Sequence, residues 1–145
     1  MSASDFYVGV NDEHGQQPPT AGKRTPVMPY LDRSIYENEF NRPAKSFCAI
    51  ALLRSGFRTL DIHPELQDIS VSTRVRRANS SGINLLLTFA YNAFGSGRSF
   101  NSVSGQYTYY SSQSRYPSAS RELAEDVYSS VTDDSLQTNG RGVST

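Results

Sequence analysis

The residues Ile83-Asn84-Leu85-Leu86-Leu87-Thr88-Phe89-Ala90 form a near-continuous apolar run of strand length. Such a run is expected of a central strand covered on both faces, the arrangement found in parallel α/β sheets. The surrounding segments follow that pattern. Phe6 to Val10 reads as a first strand, and Phe57 to Ile62, flanked by Gly56 and Pro64, as a second. Between them, apolar residues at three- and four-residue steps (Phe40, Ala44, Phe47, Ile50, Ala51, Leu53) predict a helix closed by Gly56. Pro43 suits that helix if it starts close to Asn41 or Arg42. A second helix is expected from a cap at Asp68 or Ser70 through Val71, Val75 and Ala78. A Tyr-rich strand follows over Gly105 to Ser111, then an amphipathic helix over Ala119 to Val131. The expected fold class is α/β, a three-layer, mostly parallel twisted sheet with helices on both faces and functional groups at the carboxyl ends of its strands.

The pieces that are not regular also constrain the chain. Gly15 to Ser34 holds Pro18, Pro19, Gly22, Pro26 and Pro29, too many breakers for regular structure and well suited to a long surface excursion beside a site. The stretch Asp133 to Thr145 is polar and expected to fray. The chain has 145 residues, a length at which one domain, spanning 1–145, is expected. Fourteen basic and fourteen acidic residues cancel without blocks of like charge, which argues against a nucleic-acid or anionic-membrane partner. Cys48 stands alone, so it forms no internal disulfide; it reads as a small buried hydrophobe or as a reactive thiol. The N-terminus lacks the pattern of a secretory signal, and no stretch approaches the roughly 20 apolar residues that span a bilayer. The expectation is a chain that is cytoplasmic until something else releases it.

Two histidines are present, His14 and His63. His14 follows the first strand, where an α/β sheet places ligands, and it reads either as a metal ligand or as a turn residue before Gly15. Glu39 reads as a first-turn acid favoured by the helix dipole, or as a ligand if His14 is one. His63 precedes Pro64 and reads as a loop residue.

Several segments in order resemble the zinc-dependent N-acetylmuramoyl-L-alanine amidases of phage endolysins and bacterial cell-wall hydrolases. Asn11 to Gly15 resembles the family's first strand ending in His-Gly. Gly22-Lys23-Arg24-Thr25-Pro26 is similar to its Gly-Lys-Arg-Ser/Thr-Pro loop, and Glu39-Phe40-Asn41 to its Glu-Phe-Asn helix start. Val71 to Asn79 resembles the helix carrying Arg-Val-Arg-Arg-Ala-Asn, Phe100 to Tyr110 the insertion leading to a Tyr-Tyr strand, and Asn139 to Val143 a later Asn-Arg-Gly-Val segment.

The resemblance implies zinc as cofactor, His14 and Glu39 as its first two ligands, and Arg24, Tyr91 and Asn92 as substrate-binding residues. The third ligand belongs in a Ser-Ile-His-x-Asn-Ala motif, matched here by Thr88-Phe89-Ala90-Tyr91-Asn92-Ala93, so alanine stands where the family has histidine. The family's catalytic Glu lies on a later strand that has no counterpart before Thr145, so no residue of the chain is assigned as catalytic. Zinc binding is therefore expected to be weak or absent, with His63 and Asp12 as possible substitute ligands. The implied activity is hydrolysis of the bond between N-acetylmuramic acid and L-alanine, expected to be impaired, and the implied partner is a peptidoglycan stem peptide, met at the cell wall. The alternative is a non-catalytic peptidoglycan-binding or protein-interaction module, using the long loop and Tyr107, Tyr109 and Tyr110. Lack of the final strand implies an open sheet edge and self-association.

Overall fold

The computed structural model describes residues 2–16, 22–92, 94–134 and 140–145. Pro18, Pro19, Ala93, Asn139 and the 135–139 part of the tail lie outside these residues. The chain divides into two compact units, 1–100 and 101–145, where one domain was expected.

In the first unit a single 3-10 turn, Ala3–Asp5, precedes β1 (Tyr7–Asp12), followed by α1 (Glu37–Arg54), β2 (Arg58–Asp61), α2 (Val71–Ser80) and β3 (Leu85–Phe89). The three strands form one parallel sheet in the order β2-β1-β3. The central strand is therefore β1, which is buried from Val8 to Asp12. Among the described residues, the apolar run expected at the centre is instead one edge of this sheet, with Leu86 and Thr88 exposed. Hydrophobicity alone does not separate a central strand from its neighbour, because both rest one face on the same core.

Helix α1 touches all three strands and departs from the pattern read in its sequence. It begins at Glu37, which puts Pro43 inside the helix. The buried side chains are Glu37, Asn38, Asn41 and Lys45, while Phe47, Ile50 and Leu53 are exposed, Phe47 by 72%. The polar stripe faces the sheet because β1 and β2 end in acids that need partners. Lys45 Nζ donates to Asp12 Oδ1 at 2.9 Å, to Asp61 at 2.8 Å and to the His63 carbonyl at 2.8 Å. Arg42 Nε lies 3.0 Å from Asp12 Oδ2 in an ion pair, and the Asp12 side chain is fully buried. Buried charge of this kind persists only when paired and hydrogen-bonded.

Helix α2 is capped by Ser70, whose hydroxyl accepts from the Thr73 amide at 3.2 Å. It buries Arg74 and Ala78 and leaves Val71 and Val75 exposed. Arg77 donates to both oxygens of Glu65, and this pairing holds the Glu65 carboxyl down at about 2.

The second unit contains β4 (Gln106–Tyr109), α3 (Pro117–Asp134) and β5 (Gly140–Ser144). β4 and β5 pair in parallel, so the end of the chain forms a strand from Gly140 where fraying was expected. Helix α3 packs on both strands, and Gln106 Nε2 ties β4 to it by donating to Thr132 Oγ1 at 3.0 Å. Tyr107 and Tyr109 stack on one exposed face of β4, with ring centroids 5.6 Å apart. Cys48 lies in α1 with intermediate exposure, and burial raises its thiol pKa.

Candidate metal centre

The carboxyl ends of the neighbouring strands β1 and β3 meet where the Glu13 amide donates to the Phe89 carbonyl at 3.0 Å. At this junction Glu13, His14 and Glu37 bring one ligand atom each to within 4.8 Å of one another. His14 adopts φ +63°, a left-handed conformation that a non-glycine residue holds only where its surroundings impose it. Two contacts impose it here. Asn38 Nδ2 donates to the His14 carbonyl at 2.9 Å, and Asn41 Nδ2 to the Glu13 carbonyl at 3.0 Å. The first turn of α1 thus grips the segment that follows β1.

Glu37 is almost wholly buried and held from both sides. Its Oε2 accepts from the Lys23 amide at 3.0 Å, and its Oε1 from the Tyr91 amide at 3.1 Å and from Asn41 Nδ2 at 3.3 Å. His14 Nε2 faces Oε2 at 3.8 Å. That distance is too long for a hydrogen bond and near the roughly 3.3 Å that separates two ligands of one tetrahedral zinc ion. Gly22 makes the approach possible: a Cβ there would lie 2.6 Å from His14 Cδ2 and 2.7 Å from Glu37 Oε2. One imidazole and two carboxylates, one of them fixed by three hydrogen bonds, form a donor set that fits a divalent cation.

The acid beside His14 is thus Glu37, whereas the sequence pointed to Glu39. Two residues are about 200° of helix rotation, so the two acids project on nearly opposite sides of α1. Glu39 accepts from Arg33 Nη1 and Nη2 at 2.9 and 2.8 Å and from the Tyr36 amide at 2.9 Å. The Arg33 hydrogen bond, then that of the Tyr36 amide, lowers the Glu39 pKa. It serves the start of the helix. The signal for Glu37 was present as Glu37, Asn38, Asn41 and Lys45, a polar stripe at helical spacing.

The substitute ligands also have other partners. His63 is fully buried, with Nε2 2.9 Å from the Gln67 carbonyl and Nδ1 3.2 Å from Asp12 Oδ1, so both ring nitrogens face oxygen acceptors. Asp12 is committed to Lys45, Arg42 and His63. Glu13, next to His14, was missed as a candidate.

Ala90 is exposed and immediately precedes Tyr91, whose amide donates to Glu37 Oε1. Tyr91 is exposed, and its ring stacks on Phe40 with centroids 4.5 Å apart. Asn92 is exposed. Arg24 is exposed in a short antiparallel bridge to Tyr36.

A parallel sheet carrying this cluster at its carboxyl ends belongs to an amidase-like α/β fold. The particular likeness is to the crystal structure of N-acetylmuramoyl-L-alanine amidase from Clostridium difficile 630, at a TM-score of 0.73 and 22% identity, covering 96% of this chain and 68% of that one. No protein-family model matches the chain, and no curated protein does. Among the described residues, no helix is long and apolar enough to cross a membrane.

Proposed function

We propose that this chain is a peptidoglycan-directed domain of the N-acetylmuramoyl-L-alanine amidase type that holds a divalent cation weakly and turns over poorly. The observation that carries the reading is the buried, triply hydrogen-bonded Glu37 facing His14 across 3.8 Å. His14 and Glu37 would hold the cation, with Glu13 as an oxygen donor from the adjacent residue. Zinc, when bound, polarises a water or an amide carbonyl. The chain's own part is to fix those donors: Asn38 and Asn41 hold the segment bearing Glu13 and His14, and the Lys23 and Tyr91 amides orient Glu37. The methyl of Ala90 contributes no donor, which is the reason for weak binding. The exposed Tyr91 ring, braced by Phe40, suits contact with a sugar or stem peptide, and this favours the second reading, a module that binds peptidoglycan without cleaving it.

Zinc titration calorimetry on the wild type and Ala90→His tests the site. After dialysis the wild type should retain well under one equivalent of zinc, and Ala90→His should bind at least about 10- to 100-fold more tightly. Equal affinities in the two proteins would refute the role given to position 90, and Glu37→Gln binding like wild type would refute the site. Dye release from labelled sacculi should stay near background for the wild type while a pull-down on sacculi retains it. Absence of retention and of release together would end the peptidoglycan reading.

A further inference from the structure

The side of His14 turned away from Glu37 carries information of its own. Its Nδ1 is buried without a hydrogen-bond partner, 3.7 Å from Asp68 Oδ2. The other oxygen of the same carboxylate, Oδ1, accepts from Arg74 Nη2 at 2.6 Å. The side chains of Asp68 and Arg74 are 8% and 10% exposed, so the pair is buried at about the depth of Glu37. Gly15 keeps the neighbouring backbone in place: a Cβ there would lie 2.1 Å from the Asp68 amide nitrogen, so a side chain at position 15 would push residues 67–68 away from His14. Ser70 caps α2 and sets Arg74 one turn inside the helix, where it reaches back to Asp68.

We propose that Asp68, locked by Arg74, is a positioning residue that keeps the proton of neutral His14 on Nδ1 and so leaves the Nε2 lone pair facing Glu37, ready for a cation. This rests on the cation-binding reading above. A movement of under about 1 Å closes the Nδ1 to Oδ2 gap to hydrogen-bond length. An ionised carboxylate only accepts, so Nδ1 must donate, and the one remaining lone pair of the ring is on Nε2. Metal-binding histidines are commonly oriented by a carboxylate on the far nitrogen in this way.

The two oxygens have separate partners, and this makes the isosteric change Asp68→Asn decisive. Arg74 can only donate, so it selects the amide oxygen and turns the NH2 group toward His14. That NH2 donates to Nδ1, and the imidazole proton moves to Nε2, where it blocks the cation. The measurement is a two-bond 15N correlation spectrum of the imidazoles in metal-free protein, at a pH well above the histidine range, with His14→Gln assigning the signals. Wild type should show His14 protonated at Nδ1 and Asp68→Asn at Nε2, with unchanged His63 signals reporting an intact fold. Zinc affinity should fall about 10- to 100-fold in Asp68→Asn. The same tautomer in both proteins, or an Nε2-protonated His14 in the wild type, overturns the proposal. Should Asp68→Asn disturb the His63 signals, Arg74→Gln replaces it: Nδ1 protonation should persist, because Asp68 still accepts, and its loss counts against the assignment. If the wild type binds no zinc while its tautomer is as expected, the cation reading fails and the positioning of His14 stands.

Discussion

At the scale of single residues the site depends on an absent side chain. Gly22 has φ +85°, and the space its Cβ would take is filled by His14 and Glu37. Gly22→Ala therefore combines a left-handed alanine, at roughly 1–2 kcal/mol, with displacement of both donors. Urea denaturation should show a loss of at least about 1 kcal/mol, and zinc titration a weaker site; a variant as stable as wild type with unchanged affinity would show that the segment yields freely. How much of the site was legible is also decided residue by residue. His14 could be read from its position after a strand and before Gly15. Glu37 differs from Glu39 in sequence only by sharing a polar stripe with Asn41 and Lys45, and which face of α1 meets the sheet is a tertiary property. Glu13 carried no pattern and Asp68 read only as a candidate cap for the second helix, since both come near His14 through backbone geometry.

At the scale of elements, α1 shows why the apolar stripe misled. A helix turns toward the sheet the face that sheet requires, and β1 and β2 end in Asp12 and Asp61. Lys45, with its side chain 3% exposed, answers both. Removing it by Lys45→Ala leaves Asp12 buried and short of charge, a type of change that costs about 3–5 kcal/mol. Chemical denaturation should register that loss, and Lys45→Ala combined with Asp12→Asn should recover part of it; a single variant within about 1 kcal/mol of wild type would mean that Arg42 alone suffices as the counter-charge of Asp12. The elements themselves were largely legible: β1, β2, α2, β4 and α3 lie within a few residues of their expected positions. What local sequence does not hold is sheet order, so β1 and not β3 proved to be the centre.

For the whole molecule, charge and surface act together. The chain carries no formal net charge at pH 7, its pI is about 6.7, and Phe47, Ile50, Leu53 and Leu86 are among its exposed large side chains. Among the described residues β3 pairs with β1 alone, which adds strand edge to that surface. Without net repulsion, such a surface favours association. Solubility, read as the polyethylene glycol concentration that precipitates half the protein, should pass through a minimum near pH 6.7. Phe47→Glu should raise it there. A solubility that does not vary with pH would mean that net charge does not limit it, and a Phe47→Glu variant no more soluble than wild type that this apolar surface does not.

Pro43 has an effect reaching beyond helix α1 itself. Without an N–H it cannot bond the Glu39 carbonyl, so the ladder of α1 has a missing rung between the turn bearing Glu37, Asn38 and Asn41 and the rest of the helix. The donor-bearing turn thus has one backbone hydrogen bond fewer to the rest of the helix. Its alignment leans all the more on the grip of Asn38 and Asn41 on the carbonyls of His14 and Glu13, while Lys45 anchors the turn beyond the proline to Asp12 and Asp61.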